Sequence, residues 1–244
     1  MIELDALAEA ECQVWWAGPD PDLHGLLDLL DDGEKARFDR FRRDEDRFRY
    51  LVGHAMVRLV LASHTGRDPR DLRFATDCLH CGGPHGKPRL DPPAGLDFSL
   101  THSGERVGLA VVRDVPVGLD VEAHARNVEQ SLVDHVLSDA ERRVFDTVPT
   151  EARATAFFTY WTRKEAVLKA TGHGLAAGVA TVEVSGPDEP ARLVRWTAKQ
   201  ALDSPVRLYD LHPGPGHSAS VALLTSRQHR VLERDAEPLL KQAL

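Results

Sequence analysis

The spacing of apolar residues predicts helices in the first quarter of the chain. Leucines cluster over residues 20–30, and apolar residues recur mostly every three or four positions over 38–61, which is the period of one helix face. The pattern predicts one long helix or two consecutive helices that end before Gly66. Arg42 and Arg49 lie seven positions apart, so they would fall on the same side of such a helix.

Short β-rich runs occupy the middle of the chain. Residues 98–102, 106–114 and 117–123 each predict a strand, and the turn at 114–116 would join the last two strands as a hairpin. The preceding segment, 65–95, is rich in Gly, Pro, Asp and His and predicts mainly loop. The pattern therefore places a hairpin at the centre of the chain.

Helical patterns return in the second half of the chain, at 127–148 and 151–171, where Ser138 followed by Glu141 fits a capping box. Four strand candidates come next, at 179–185, 191–196, 206–211 and 218–225. Each half of the chain thus shows helices followed by short strands. We therefore predict an α+β fold of two similar α/β subdomains, residues 1–113 and 114–244, divided near Arg113.

Composition excludes several classes of protein. The chain has 244 residues, of which 42% are hydrophobic and 28% are charged, as in an ordinary globular protein. No segment approaches the ~20 apolar residues that a membrane span requires. The N-terminal segment is acidic and has no signal-peptide pattern, and the three cysteines are an odd number. We expect a soluble, cytoplasmic protein with reduced thiols and no membrane partner.

Charge argues against a nucleic-acid partner, because the formal net charge is −8 and duplex binding requires a basic surface. The charge is unevenly distributed. Residues 34–58 carry eight basic and five acidic side chains, a local charge of +3, which leaves −11 for the rest. This basic segment suits a small phosphorylated ligand or an acidic protein surface. A solvated helix face with ion pairs is the alternative interpretation.

Carboxylates are the first candidates for chemistry. Asp120 and Glu122 stand two positions apart in a predicted strand, so both would point to one face of the sheet and could bind Mg²⁺. A solvent-facing edge strand is the alternative. Glu165 and Lys169 lie four residues apart on one helix face, either as a surface ion pair or as a third carboxylate with a cation for phosphate oxygens.

Two loops offer further candidates. His102 follows an apolar strand and precedes a Ser-Gly turn, where it could reach a ligand oxygen or serve a purely structural role. Gly86, Lys87 and Pro88 combine a backbone donor, a cation and a rigid residue. Such a loop can bind an anion, although many surface turns have this composition.

The joint order of four motifs is more specific than any one of them. These are GKP at 86–88, FSLTHS at 98–103, VGLDVE at 117–122 and WTRKEAVLK at 161–169. In order and spacing this set resembles the 4′-phosphopantetheinyl transferases of the surfactin-synthetase type, over roughly residues 41–175. The resemblance implies two α/β subdomains related by pseudo-twofold symmetry, with coenzyme A and the active site in the cleft between them.

The resemblance also implies a reaction, in which the 4′-phosphopantetheine arm of coenzyme A passes to a serine hydroxyl of an apo acyl or peptidyl carrier protein and 3′,5′-ADP is released. It implies Mg²⁺ as cofactor, held or surrounded by Asp120, Glu122 and Glu165. Glu165, or a water that it orients, would be the base, with Glu122 as the competing base. Lys169 would contact the phosphates and stabilise the departing nucleotide. The other implied coenzyme A contacts are Arg42, Arg49, Gly86, Lys87, Pro88, Thr101 and His102.

Carrier proteins are acidic, so the docking surface should be small and basic or apolar. The resemblance places part of it at 124–138, with Arg126, Val128, Leu132, Val133 and Val136 as candidates. We expect a monomer, because two halves can supply their own interface. Arg greatly outnumbers Lys, which is typical of GC-rich genomes, and we expect a bacterial polyketide, non-ribosomal peptide or fatty acid pathway.

Three alternatives remain open at this point. Cys78 and Cys81, with His80 and His85, could bind zinc, although the second ligand pair of a structural site is absent. The carboxylates could instead serve another Mg²⁺-dependent phosphotransferase or phosphodiesterase. A zinc-knuckle protein that binds nucleic acid is disfavoured by the charge of −8 and by an aromatic content of only 6%.

Overall fold

Two β-sheets pack against each other at the centre of the computed structural model, and one long helix covers the outer face of each. The structure describes residues 4–77, 82–83, 86–125, 127–172 and 178–244. The zinc hypothesis for Cys78 and Cys81 and the docking candidate Arg126 lie outside the described residues.

Runs of helices and runs of strands follow one another along the chain, which gives an α+β fold. The first part contains β1 (Glu11–Ala17), α1 (Asp32–Phe38), α2 (Asp44–Thr65), β2 (Arg73–Ala75), β3 (Arg89–Asp91), β4 (Leu96–Ser103) and β5 (Arg106–Arg113). The second part contains β6 (Val117–Ala123), α3 (Gln130–Val136), α4 (Asp139–Phe145), α5 (Arg153–Thr171), β7 (Val182–Val184), β8 (Leu193–Trp196), β9 (Val206–Leu211), β10 (His217–Leu224), β11 (Arg230–Asp235) and α6 (Glu237–Gln242). Short 3₁₀ segments, including Pro21–Leu29, connect some of them.

The two main sheets share one connectivity. The first has the order β11-β1-β5-β4 and the second has the order β6-β10-β9, while β2-β3 and β7-β8 form two-stranded ribbons. Side chains alternate between the two faces of a strand, and in both main sheets each face carries buried apolar residues. In β5, Ala110 and Val112 face the other sheet, whereas Leu109 and Val111 face α2. In β10, Val221 faces the first sheet and Ala222 faces α5.

The helical region predicted over 38–61 is interrupted. Helix α1 begins at a capping box in which Asp31 and Glu34 satisfy each other's backbone N–H groups. Helix α2 ends at Gly66, which has φ of +69°, the left-handed conformation that glycine adopts most readily. Arg42 lies in the bend before α2, so the expectation that Arg42 and Arg49 share a helix face is wrong.

The predicted central hairpin is also wrong. Strand β5 pairs on its two edges with β1 and β4, so neither edge is free for β6. Strand β6 pairs instead with β10 in the second sheet. The turn at 114–116 therefore carries the chain from one sheet to the other, and Asp114 adopts φ of +52° there.

The two ends of the chain meet in the first sheet. Strands β1 and β11 pair in parallel, and the leucines of α6, Leu239 and Leu240, are buried in the core that α2 covers. The sequence pattern did not predict β1, β11 or α6. Because of this return, residues 230–242 pack with the first part of the chain although they follow the second part in sequence.

A ladder of side-chain hydrogen bonds joins the sheets. Alternate residues of β4 accept the backbone N–H groups of alternate residues of β6, always with an offset of twenty positions. The donor and acceptor pairs are Val117 to Asp97 (2.7 Å), Leu119 to Ser99 (3.0 Å), Val121 to Thr101 (3.4 Å) and Ala123 to Ser103 (3.1 Å). We call this set the β4–β6 ladder. It fixes the register between the two sheets where the candidate site lies.

Candidate active site

A cavity of about 380 Å³ opens where β4, β6 and α5 meet. Its polar lining consists of Thr101 and His102 from β4, Asp120 and Glu122 from β6, and Glu165 and Lys169 from α5, and its apolar walls are Leu100 and Trp161. Six of the residues singled out in the sequence therefore lie around one space. The β4–β6 ladder positions the two strands, and α5 packs across β6 and β10.

Three carboxylates share this cavity with one lysine. Asp120 and Glu165 are buried, and Glu122 is half-buried. Burial raises the pKa of Asp120 to about 7, with Lys169 opposing the shift and the negative charges of Glu122 and Glu165 adding to it. Burial also raises the pKa of Glu165. The protein thus concentrates more negative charge here than its own side chains neutralise.

Lys169 neutralises only part of that charge. Its ammonium group donates to Asp120 Oδ1 at 2.6 Å, to the Leu119 carbonyl at 3.1 Å and to Thr101 Oγ1 at 3.3 Å. The surface ion pair between Glu165 and Lys169, one of two interpretations of the sequence, is not formed. The helix face that carries both residues is turned toward β6, and Lys169 pairs with Asp120 across the sheet.

Two buried carboxylate oxygens in the cavity have no hydrogen-bond partner, Asp120 Oδ2 and Glu165 Oε1. Within the described ranges, no three Asp, Glu, His or Cys side chains are grouped closely enough to form a ready-made metal site. An unpartnered buried carboxylate oxygen is costly, and Mg²⁺ binds such hard oxygen ligands. By its chemistry the donor set of Asp120, Glu122 and Glu165 fits a divalent cation, although the three carboxylates are not yet grouped as a ready-made site.

Thr101 and His102 occupy opposite faces of β4, because they are consecutive residues of a strand. The Thr101 hydroxyl is buried in the β4–β6 ladder, 3.4 Å from Asp120 Oδ1. His102 is exposed on the α2 side. Desolvation lowers the pKa of His102, and the positive charges of Arg49 and Lys169 lower it further. Of the two residues predicted to contact phosphate, Thr101 therefore offers a buried hydroxyl and His102 an accessible imidazole.

The basic candidates from α2 lie near the same strand end. Arg49 donates to the carbonyl of Gly104 at 3.0 Å and forms an ion pair with Asp46. It is therefore held beside the turn that follows His102. Arg42 is exposed in the bend before α2 and does not line the cavity. Only Arg49 of this pair is anchored next to the site.

The GKP loop, residues 86–88, contacts the start of β4, at the opposite end of that strand from His102. Lys87 forms an ion pair with Asp97 and donates to the Val117 carbonyl at 2.7 Å. Burial lowers the pKa of Lys87. Asp97 and Thr101 are four positions apart along the strand, a distance of roughly 13 Å. The N–H group of Gly86 donates to the Thr76 carbonyl and is engaged within the protein, while Pro88 is exposed.

Some residues of the site escaped the sequence analysis. Trp161 opens the WTRKEAVLK motif but was given no role in the site, although it stands four residues before Glu165 and eight before Lys169, the spacing of one helix face. Ser103 was passed over, although its hydroxyl donates to Glu122 Oε2 at 2.7 Å. The alternation of polar residues from Asp97 to Ser103 was the available signal. Lys164 of the same motif lies outside the cavity, because it is fully buried and pairs with Glu141.

The segment after β6 forms a second cavity of about 350 Å³, whose apolar lining includes Val128, Leu132 and Phe158. Two other docking candidates, Val133 and Val136, are buried in the core under α5. They cannot contact a partner from there, which corrects that part of the prediction. The two cavities border the same helix, because Phe158 of the second cavity and Trp161 of the first lie about one turn apart on α5.

No helix in the part of the chain that the structure describes combines the length and the apolar character of a membrane span.

Comparisons with known proteins identify the family of this chain. The family model described as the 4′-phosphopantetheinyl transferase superfamily matches residues 116–223, a range that includes β6, α5 and all three carboxylates. The chain is 33% identical over 190 residues to the 4′-phosphopantetheinyl transferase HetI of a Nostoc species, covering 76% of this chain and 77% of HetI.

Two Bacillus relatives are similar as well. The 4′-phosphopantetheinyl transferase psf-1 of Bacillus pumilus is 27% identical over 74% of this chain and 73% of its own length. The transferase Sfp of Bacillus subtilis is 28% identical over 59% of each chain. The chain therefore belongs to the 4′-phosphopantetheinyl transferase superfamily. It is an enzyme of that class, as its motifs predicted.

Proposed function

We propose that this enzyme transfers the 4′-phosphopantetheine arm of coenzyme A to a serine hydroxyl of an apo carrier protein and releases 3′,5′-ADP. The observation that carries the proposal is the cavity in which three carboxylates face a single lysine and two buried carboxylate oxygens lack a partner. A pyrophosphate substrate accompanied by a divalent cation would complete this arrangement. Membership of the transferase superfamily supplies the donor and the kind of acceptor.

Asp120, Glu122 and Glu165 are the residues that would hold Mg²⁺. When bound, Mg²⁺ supplies neutralisation of the charge on the pyrophosphate and on the leaving phosphate. The protein's own contribution is to present carboxylate oxygens in a buried space, where their attraction for a cation is stronger than in water.

The chain's side chains have separate roles in this proposal. Glu165, with its raised pKa, is suited to take the proton from the acceptor serine, either directly or through a water that it orients. Glu122 is the alternative base. Lys169, which is 31% exposed, would exchange one of its three hydrogen bonds for a substrate phosphate oxygen and stabilise the departing nucleotide. Arg49 and His102, at the rim of the cavity, would contact the nucleotide phosphates.

We further propose that the two α/β subdomains are related by a pseudo-twofold axis. The supporting observation is their shared connectivity, β1-β5-β4 against β6-β10-β9, each with a long helix and a two-stranded ribbon. In each half a capped seven-residue helix places a glutamate against a buried cation of the long helix, Glu34 with Arg58 and Glu141 with Lys164. We propose that the enzyme acts as a monomer.

The subdomain boundary in this proposal stays at 113/114, with β11 and α6 counted as a C-terminal return to the first subdomain. The acceptor would approach over the second cavity, past Val128, Leu132 and Phe158. That route leads along α5 to Trp161 and the carboxylates. An apolar groove of this size suits the side chains of a carrier helix.

The test is the intact mass of an apo carrier protein after incubation with the enzyme, coenzyme A and Mg²⁺. We expect the gain of one phosphopantetheinyl arm, and its absence in a control with EDTA and in a control whose carrier serine is replaced by alanine. No gain with several carrier types, together with no binding of coenzyme A, would contradict the proposal and favour another phosphotransferase.

A further inference from the structure

We propose that Ser103 is a positioning residue that fixes the orientation of the Glu122 carboxylate for metal binding and turnover. This inference rests on the proposed function, since it assigns Glu122 a role in that reaction. Ser103 is the last residue of β4 and of the FSLTHS motif, one residue beyond His102, and the motif gave it no role.

The hydrogen bonds of the Ser103 hydroxyl determine the direction of its proton. Its oxygen accepts the N–H group of Ala123 at 3.1 Å as the last step of the β4–β6 ladder. Its proton is directed to Glu122 Oε2 at 2.7 Å. Because the same oxygen is held by Ala123, the residue next to Glu122 in sequence, the hydroxyl and the carboxylate are tied to the same short piece of β6.

The turn that carries Ser103 is seated firmly on the second sheet. Gly104 follows with φ of +55°, and a β-carbon at that position would lie 2.8 Å from the Ala123 side chain and 3.1 Å from His217 Nε2. Only glycine allows so close an approach. Arg49 also donates to the Gly104 carbonyl. These contacts keep Ser103 beside Glu122.

Among the residues whose positions are described, the orientation of the Glu122 carboxylate depends on a single hydrogen bond, from Ser103, whereas the Asp120 carboxylate is held by two groups. Asp120 is held by Lys169 at 2.6 Å as well as by Thr101 at 3.4 Å. For Glu122, the only hydrogen bond to the carboxylate from within the described residues is that of Ser103. Without it the half-buried side chain would sample several rotamers. With it, Oε2 is engaged and Oε1 is presented for a ligand.

Partners that orient a metal-binding carboxylate typically contribute 10- to 100-fold to metal affinity or activity. We therefore expect Ser103→Ala to lower kcat/KM at limiting Mg²⁺ by about 10- to 100-fold and to raise the Mg²⁺ concentration for half-maximal rate. Coenzyme A binding without Mg²⁺ should be unchanged. The gain in coenzyme A affinity caused by Mg²⁺, measured by titration calorimetry, should shrink.

Ser99→Ala is the matched control. Ser99 occupies the same face of β4, is buried, and accepts Leu119 N–H at 3.0 Å in the same ladder, but it contacts no carboxylate of the site. Both variants remove one ladder bond, so their losses of stability in urea unfolding should be comparable. Ser103→Thr retains a hydroxyl, as Thr101 does one step earlier, and should restore most of the Mg²⁺ response.

The result that would overturn the inference is equal behaviour of Ser103→Ala and Ser99→Ala in Mg²⁺ dependence and in the Mg²⁺-induced gain of coenzyme A affinity. That outcome would limit the role of Ser103 to its structural hydrogen bond in the β4–β6 ladder. If Ser103→Ala cannot be purified folded, Ser103→Thr and Ser103→Cys decide, and an unchanged Mg²⁺ response in the cysteine variant would also overturn it. Failure of the proposed function is distinguishable, because the unmodified enzyme would then be inactive as well.

Discussion

Two lysine–carboxylate clusters lie five residues apart on α5, and they are built differently. Lys164 pairs with Glu141 at 2.6 Å, and the two side chains are 0% and 2% exposed. The remaining groups are satisfied, since Lys164 also donates to the Val136 carbonyl and Glu141 accepts the N–H groups of Ser138 and Val184. One positive charge pairs with one negative charge, and both carboxylate oxygens of Glu141 accept hydrogen bonds.

The Lys169 cluster has the same 2.6 Å contact, to Asp120, but it is open and unbalanced. The Lys169 side chain is 31% exposed, and the single cation faces Asp120, Glu122 and Glu165. Two carboxylate oxygens remain unpartnered. Burial of a charged pair therefore does not by itself mark a functional site. Excess negative charge, with unfilled acceptors beside a cavity, distinguishes the site from a structural pair.

The largest expected effect is on turnover, in Glu165→Gln. Loss of a base and cation ligand should reduce activity by about 10²- to 10⁴-fold or more, as measured by carrier mass gain over time. Thermal stability should rise, because a neutral amide no longer adds to the uncompensated charge of the open cluster. Substantial turnover in this variant would contradict the role of Glu165, and a lower Tm would contradict the charge imbalance.

The reverse pattern is expected for Lys164→Met in the balanced cluster. Removing one partner leaves Glu141 buried and unpaired, which should lower the free energy of unfolding by about 3–5 kcal/mol. The double variant Lys164→Met with Glu141→Leu should recover much of the loss, because no unpaired charge remains. Urea unfolding measures both. If Lys164→Met lost as much activity per folded molecule as Glu165→Gln, the two clusters would not differ in function, and the comparison would be wrong.

The open cluster should also give stability a pH dependence. In the native protein without metal the pKa of Asp120 is raised to about 7 from 3.8, so the native state binds more protons than the unfolded chain between these values. The free energy of unfolding should therefore fall as pH rises from about 4 to 7. Unfolding in EDTA at several pH values measures the slope. Asp120→Asn should flatten it, and an unchanged slope in that variant would refute this origin.

The smallest effect is expected for Lys87→Met. Lys87 and Asp97 form a third pair with one charge of each sign, at the far end of the β4–β6 ladder from Lys169. By the same comparison it is structural, and we expect a loss of about 1 kcal/mol of stability and little change in coenzyme A affinity. A large loss of affinity with unchanged stability would instead support the nucleotide contact that the GKP motif implied.

The periodicity of the sequence located most elements because their signals are local. The end of α2 at Gly66 and the capping box of Ser138 and Glu141 followed from residue types at fixed spacings. The hairpin between β5 and β6 was predicted wrongly, because pairing depends on which strand edges are already occupied. Strands β1 and β11 were missed, and their pairing joins positions more than two hundred residues apart.

For the site, the sequence predicted which residues take part but not which of them pair with one another. The spacing of Asp120 and Glu122 predicted that both point to one face of a sheet, and the family resemblance implied that Glu165 would join them; all three line one cavity. The partners of the lysines were not anticipated, because a lysine side chain is long and several carboxylates are within reach. Which carboxylate pairs with Lys169, and that Lys87 is drawn to Asp97, is decided by the packing of β4 against β6.

The β4–β6 ladder has a consequence for how separate molecules meet. The outer edge of β6 presents a row of backbone N–H groups that a strand from another chain could otherwise pair with. In this protein Asp97, Ser99, Thr101 and Ser103 accept those groups with side chains. The strand that carries Asp120 and Glu122 is thereby closed to edge-to-edge aggregation, because side chains of β4 already occupy its free edge.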